Sequence, residues 1–337
     1  MKGKQIVFKR RGKAVLEDVD VPPPGAGHIV IENDYTVISA GTERANLIQL
    51  PNTVTAERGF PHYPGYSGSG RVCAAGDEAD GFKVGDRVVN NWGGHRSHTL
   101  KPAQNILKIA DDSVDLLDAA FAPIAAFSML GVRKLKIELG EAAMIVGQGI
   151  LGVFALQLAA LSGAIPVLAS DVDGGRRELA LKLGAAQAFA PDGENAVDKI
   201  KEAAGGEGPS AIVEAAGSST ALRQSLEYIA REGRVSLLGC IRVSDTPIDY
   251  YKYVHKRGIS LIGAHTFARP RCESAPGRWT ELDDYKVFMK LVGAGKIRTR
   301  PIIPEIVSPE QGPGVFTRIA GADNVPVGVV FDWSRIR

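Results

Sequence analysis

No run of about 18 apolar residues occurs anywhere in the chain, so a membrane-spanning helix is not expected. The opening stretch MKGKQIVFKRRGK is basic but lacks the apolar core of a signal peptide, and the expected location is the cytoplasm. Cysteine is scarce. Cys73, Cys240 and Cys272 are scattered, with no C-x-x-C pair. That spacing excludes a disulfide framework and a zinc site built from cysteines. Charge of one sign is also missing: 40 Lys and Arg stand against 38 Asp and Glu. Without a polybasic footprint, neither nucleic acid nor a membrane surface is an expected partner. Internal repeats and low-complexity tracts are absent as well.

What is present is enough for two sizeable cores: 337 residues, 45% hydrophobic and 23% charged. Two domains are therefore expected. Up to about residue 123 the chain runs in short alternating stretches such as His28-Ile29-Val30-Ile31 and Gly70-Arg71-Val72-Cys73. Pro22-Pro23-Pro24-Gly25, Gly65, Gly76, Gly81 and Gly85 punctuate them, which reads as a β-rich domain. The period then changes. Strands are expected at Ala142–Val146, Ile165–Ala169, Gln187–Ala190, Ala211–Glu214, Val235–Leu238 and Ile259–Ile262, alternating with helices at Val153–Ser162, Gly175–Leu183, Ala196–Ala204 and Thr220–Ala230. Six strands with helical crossovers predict an α/β, doubly wound parallel sheet. The tail adds a helix, Glu281 to Val292, and an extended segment, Gly328 to Phe331.

Gly147-Gln148-Gly149-Ile150-Leu151-Gly152 lies between the first of those strands and its helix. Gly147 suits a tight turn, Gly149 lets backbone approach a pyrophosphate, and Gly152 allows close helix–strand packing. A pyrophosphate would then rest on unpaired N–H groups at a positive helix end. Asp171 follows 19 residues after Gly152, where it can accept from both hydroxyls of an adenosine ribose. Its charge repels a 2′-phosphate, so NAD(H) is the expected cofactor. Two readings compete: Asp171 could be the N-terminal acid of the next helix, and Arg176 or Arg177 could accommodate a 2′-phosphate.

The order of these parts resembles the medium-chain dehydrogenase/reductase superfamily. The resemblance covers nearly the whole chain. It rests on Ser39-Ala40-Gly41-Thr42-Glu43, Pro64-Gly65-Tyr66-Ser67-Gly68-Ser69-Gly70, Gly81-Phe82-Lys83-Val84-Gly85-Asp86-Arg87-Val88, Ala122-Pro123, the glycine loop, and Leu181-Lys182-Leu183-Gly184-Ala185-Ala186. It implies a β-rich GroES-like catalytic domain from residues 1–123 and 266–337 and a six-stranded Rossmann domain from 124–265. It also implies that Gly239 and Cys240 lie beside the cofactor and that the His265 segment faces the nicotinamide.

Departures from the family pattern are informative. Zinc-dependent members place a Cys, a His and an acid or Cys where this chain has Ala40, Tyr66 and Ala122, and the family's Glu is Ser67. The four-cysteine structural lobe is also missing after Val88. No metal is therefore expected. Hydrogen-bond donors must then polarise the carbonyl, each worth about 3 kcal/mol at best in a dry site. By the resemblance Thr42 is the hydroxyl of a proton relay, Tyr66 stands on a former ligand position, and Trp92 lines the substrate cleft, with His95 and His98 close behind. The expected catalytic set is Tyr66 as acid/base, with Thr42 and His95 in relay. Each has a structural alternative: Thr42 as a helix cap, Tyr66 as a packed ring, His95 and His98 as core or surface residues.

Asn90, Asn91, His95, Arg278 and Thr280 would make the cleft too polar for a quinone. Expected substrate contacts are Trp92, Asn91 and His265. The expected function is hydride transfer between NAD(H) and a secondary alcohol or ketone of a polar, hydroxylated small molecule, with the protein a homodimer. An NAD(P)H-dependent quinone or enone reductase and a non-catalytic dinucleotide-binding protein are the alternatives.

Overall fold

A computed structural model describes residues 1–79, 81–321 and 325–336. The chain divides into two compact units. The first comprises Met1–Ile124, Leu282–Gly295 and Ile302–Arg337; the second comprises Ala125–Glu281 and Lys296–Pro301.

In the second unit short apolar runs become strands, and Ala143–Val146, Val167–Ser170 and Ala211–Glu214 are buried on both faces, as crossover helices require. The sheet order is Gln187–Phe189, Val167–Ser170, Ala143–Val146, Ala211–Glu214, Arg234–Leu237 and Ser260–Gly263, all parallel. Strand order reverses between Ala143–Val146 and Ala211–Glu214, and that switch point is where an open α/β sheet binds its ligand. Helices Ile150–Leu161, Gly174–Lys182, Ala196–Ala203 and Ser219–Tyr228 make the crossovers. Met144, Leu168, Ile200, Ile212, Leu226 and Val235 form the core between sheet and helices.

Antiparallel pairing dominates the first unit. His28–Val37 pairs with both Ser67–Ala75 and His98–Pro102, and Arg87–Asn91 pairs with Ser67–Arg71. The last strand, Val329–Asp332, returns to lie antiparallel to Tyr35–Val37. Phe8, Ile38, Leu47, Phe316, Phe331 and Trp333 fill the core beneath.

The observed division differs from the expected boundary at residue 266. Residues 266–281 pack with the second unit: Arg269 donates to the Ala126 carbonyl at 2.8 Å, and the Arg133 guanidinium lies 4.3 Å above the Trp279 ring. Residues 296–301 also return there, because Gln157 exchanges two hydrogen bonds with the Arg298 backbone. Among the described residues no helix is long and apolar enough to cross a membrane.

Candidate active site

The glycine loop has the local geometry its spacing predicts. Gly147 turns off the strand at φ +87°, and a Cβ there would come within 2.7 Å of the Ala216 backbone. Gly152 is more constrained, since a Cβ would meet the Gly147 carbonyl oxygen at 1.8 Å. Gly149, by contrast, is the N-cap of helix Ile150–Leu161, and a Cβ on it would meet nothing within 4 Å. That open space above a helix N-terminus is a cradle suited to a pyrophosphate. Gln148 offers the loop its backbone only: its amide nitrogen donates inward to the Ile145 carbonyl at 2.8 Å. Ile150 and Leu151 open the helix, and the Leu151 carbonyl accepts from the Ser128 hydroxyl at 2.8 Å.

Asp171 is drawn onto this loop. Its Oδ2 accepts from the Gln148 N–H at 2.6 Å and its Oδ1 from the Asp173 N–H at 2.9 Å. The helix-capping role belongs to Asp173, which accepts from the Arg176 N–H at 2.7 Å at the start of helix Gly174–Lys182. Of the two neighbouring arginines, Arg177 is committed to the Asp171 and Val172 carbonyls at 2.8 and 3.0 Å. Arg176 keeps its guanidinium 3.8 Å from the Asp171 carboxylate. Gly239 packs so closely that a Cβ would lie 2.4 Å from the Gly217 nitrogen, and Cys240 is exposed. His265 is exposed too, its Nδ1 accepting from the Phe267 N–H at 3.3 Å.

In the first unit, helix Ala40–Leu47 has Ser39 as its N-cap with no side-chain bond from that serine. Glu43 satisfies the end instead, its Oε1 accepting from the Ser39 N–H at 3.0 Å. Thr42 sits inside the first turn and is not the cap; among the described residues its half-buried hydroxyl has no hydrogen-bond partner. Tyr66 is 7% exposed and packs against Trp92 with ring centroids 5.2 Å apart and the rings tilted by 31°, while Trp92 is 46% exposed. Trp92 holds a left-handed backbone at φ +53°, donating its N–H to the Tyr66 carbonyl at 2.9 Å. Asn91 is buried, with its Oδ1 unpartnered among the described residues and its carbonyl accepting from Lys101 at 2.8 Å.

His95 requires a correction. It is fully buried, with Nε2 bonded to Glu43 Oε2 at 2.9 Å and Nδ1 bonded to the Thr36 hydroxyl at 2.8 Å. Both nitrogens are used, and Phe316 and Phe331 pack around the ring. A side chain so enclosed cannot touch a substrate, so its role is to position Glu43. Nor is Asn90 a cleft residue: it is buried, donating to Asn33 and Thr99 at 2.9 and 3.1 Å. Thr280 is buried as well, and its N–H donates to Ser274 Oγ at 2.9 Å. Sequence reasoning missed Thr36, Glu43 and Trp333 around His95, and it missed Glu214. The one available signal for Glu214 was a lone acid closing an apolar strand.

At the positions where zinc-dependent members hold their metal, Ala40 and Ala122 have no donor atom and only the Tyr66 phenol remains. Among the described residues no three His, Cys, Asp or Glu side chains converge on one point. This donor set does not fit zinc.

Comparison with known proteins agrees with both units. Residues 27–111 match the alcohol dehydrogenase GroES-like domain family and residues 151–281 the zinc-binding dehydrogenase family. L-threonine 3-dehydrogenase of Photorhabdus laumondii is 31% identical over 279 residues, covering 73% of this chain and 80% of that protein. The chain belongs to the medium-chain dehydrogenase/reductase family, in its alcohol dehydrogenase-like branch. A zinc-binding dehydrogenase of Sinorhizobium meliloti bound to NADP superposes with a TM-score of 0.81 at 21% identity, covering 98% of this chain and 99% of that one. Bacillus subtilis 2R,3R-butanediol dehydrogenase gives 0.82 at 16% identity with the same coverage. At such identities the two structures speak for the fold, a GroES-like domain with a Rossmann domain. Family membership makes the chain an oxidoreductase that binds a nicotinamide dinucleotide.

Proposed function

We propose that the chain is a zinc-independent, NAD(H)-linked dehydrogenase acting on a secondary alcohol or ketone of a polar, hydroxylated small molecule, of sugar or polyol type. The observation that carries the reading is Asp171: a carboxylate at the end of the second strand, bonded to the glycine loop, where a ribose needs acceptors. Arg176 stands at its edge at 3.8 Å and does not displace it. Gly149 leaves room for the pyrophosphate, and the N-terminus of Ile150–Leu161 supplies N–H groups to it.

Bound there, the nicotinamide supplies or accepts a hydride. The Tyr66 phenol moves the proton of the reacting oxygen, and the uncommitted Thr42 hydroxyl relays it. Trp92, Asn91 and His265 contribute to substrate binding, with the exposed Trp92 indole as an apolar wall. Threonine and butanediol, named in the relatives, are small polar alcohols, which supports the substrate class. The protein acts in the cytoplasm as a homodimer. In support of self-association, Ser260–Gly263 is an edge strand with a neighbour on one side only among the described residues.

The test combines NADH and NADPH titration, metal analysis, and a screen of sugars, polyols and hydroxy amino acids for absorbance change of the reduced nicotinamide. NADH should bind more tightly, and turnover should persist in chelator. One zinc per chain surviving chelator would overturn the metal-free part, and a preference for NADPH would overturn the cofactor part.

A further inference from the structure

Glu214 closes the strand Ala211–Glu214 at the sheet's switch point, and its side chain is fully buried. Oε1 accepts from the Gly217 N–H at 2.8 Å, and the N–H groups of Ala216 and Ser218 also face the carboxyl and favour its ionised form. Oε2 has no hydrogen-bond partner among the described residues. Burial is the stronger influence and pushes the group up to about 7.

Among the described residues no cation acts on it. On the adjacent strands Val146 and Leu237 stand opposite, with the Ser236 hydroxyl one residue away. From helix Ser219–Tyr228 comes the Tyr228 phenol, itself raised by burial and therefore neutral. Arg234, at the far end of its strand, is tied to Glu141 at 2.6 Å. The same carboxyl underlies the cofactor loop. It anchors the turn 215–217, whose Ala216 backbone would lie 2.7 Å from a Cβ on Gly147, and whose Gly217 nitrogen would lie 2.4 Å from one on Gly239. The Glu214 carbonyl also accepts from the Leu238 and Gly239 N–H groups at 3.0 and 2.7 Å.

We propose that Glu214 takes up a solvent proton when the dinucleotide binds, making it a positioning residue that couples cofactor affinity to pH. This rests on the dinucleotide occupying the Gly147–Gly152 loop. A pyrophosphate brings two negative charges toward a buried carboxylate that has no counterion, and like charge raises proton affinity. The proton settles on Oε2, where no N–H has to be displaced, so Oε1 keeps the turn in place. Because the bound state then holds more protons, affinity is highest below the free protein's titration and falls as pH rises through it. Each unit by which binding raises the proton affinity changes Kd about tenfold across that window.

The experiment is calorimetric titration of the full chain with NADH at pH 7 in phosphate and in Tris, whose protonation enthalpies differ, followed by Kd measurement from pH 6 to 9. Fractional proton uptake and a Kd that rises with pH are expected for the unaltered protein, with neither in Glu214→Gln. Uptake that persists in Glu214→Gln, or none in the unaltered protein, overturns the proposal. Should Glu214→Gln fail to fold, infrared difference spectra of the unaltered protein decide. Adding NADH must increase the protonated-carboxyl band, and no increase overturns the proposal. NADH binding without proton uptake sinks the Glu214 proposal alone, whereas no binding of either dinucleotide sinks it together with the cofactor reading.

Discussion

Glu43 and His95 meet at 2.9 Å with neither side chain more than 3% exposed, a carboxylate and an imidazole sealed in an aromatic core. A carboxylate only accepts, so Nε2 donates to Glu43; Nδ1 bonds the Thr36 hydroxyl, whose oxygen receives the Trp333 indole N–H at 2.9 Å. The chain of bonds ends at the Ser39 N–H on Glu43, so it fixes the helix start that presents Thr42.

Breaking this pair from one side strands a buried charge. His95→Phe should therefore destabilise the first unit by about 3 kcal/mol in chemical denaturation. His95→Phe combined with Glu43→Leu should cost less than His95→Phe alone, because no charge is then left unpaired. Additive losses in the double variant would show that Glu43 and His95 do not act as a unit.

The loop glycines should separate binding from folding. Gly149→Ala places its methyl in open space and should leave thermal stability unchanged while weakening NADH binding. Gly152→Ala drives a methyl into the Gly147 carbonyl and should lower both. Equal NADH affinity in Gly149→Ala and the unaltered protein would remove the pyrophosphate from this loop.

Asp171→Ala should narrow a preference for NADH over NADPH that exceeds about tenfold, or 1.4 kcal/mol, in the unaltered protein. Arg176→Ala provides the contrast, since removing the guanidinium at 3.8 Å should weaken only NADPH. Calorimetry showing no response of the ratio to Asp171→Ala would assign the ribose site to Arg176.

Tyr66→Phe should lower turnover by roughly a hundredfold to ten-thousandfold with little change in NADH affinity, as expected for a general acid/base. Thr42→Val should lower turnover too, and the double variant should lose less than the product of the two. Unchanged turnover in Tyr66→Phe on a true substrate rules out the phenol as proton donor and leaves it a packing partner of Trp92.

Glu214 also bears on stability. Its carboxyl rises from 4.5 to about 7 on folding, so the folded state binds more protons in that interval and stability falls as pH rises through it. Glu214→Gln lacks this loss and should gain by about 3 kcal/mol relative to the unaltered protein above pH 7. Parallel stability–pH curves for the two proteins would contradict the burial argument.

Much of the second unit was legible because its signals are local. The apolar run Ala211–Glu214 coincides with its strand, and the runs Ala142–Val146 and Ile259–Ile262 lie within one residue of the strands Ala143–Val146 and Ser260–Gly263. An apolar run bounded by glycine has few other uses in a parallel sheet. His95 was not legible, because burial depends on Thr36, Glu43 and Trp333, each remote in sequence and none marked by a motif. The unit boundary failed for the same reason: Arg269 and Trp279 are placed by partners at Ala126 and Arg133. Asp171 and Asp173 lie two apart, and only geometry shows that one bonds the glycine loop while the other caps the helix.

Trp333 bonds Thr36 across 297 positions, and Phe331 lies in the strand that pairs beside it. During synthesis the first unit's β-rich segment emerges early and brings its own cluster around Ile31, Val72 and Val88, yet the core that Phe331 and Trp333 fill stays open until Val329–Asp332 leaves the ribosome. The Rossmann unit, needing nothing beyond residue 301, is complete sooner. For that one core the usual N-terminal-first order of vectorial folding does not hold. A nascent chain stalled before Val329 would hold a finished Rossmann unit behind an N-terminal segment still exposed to chaperones and proteases.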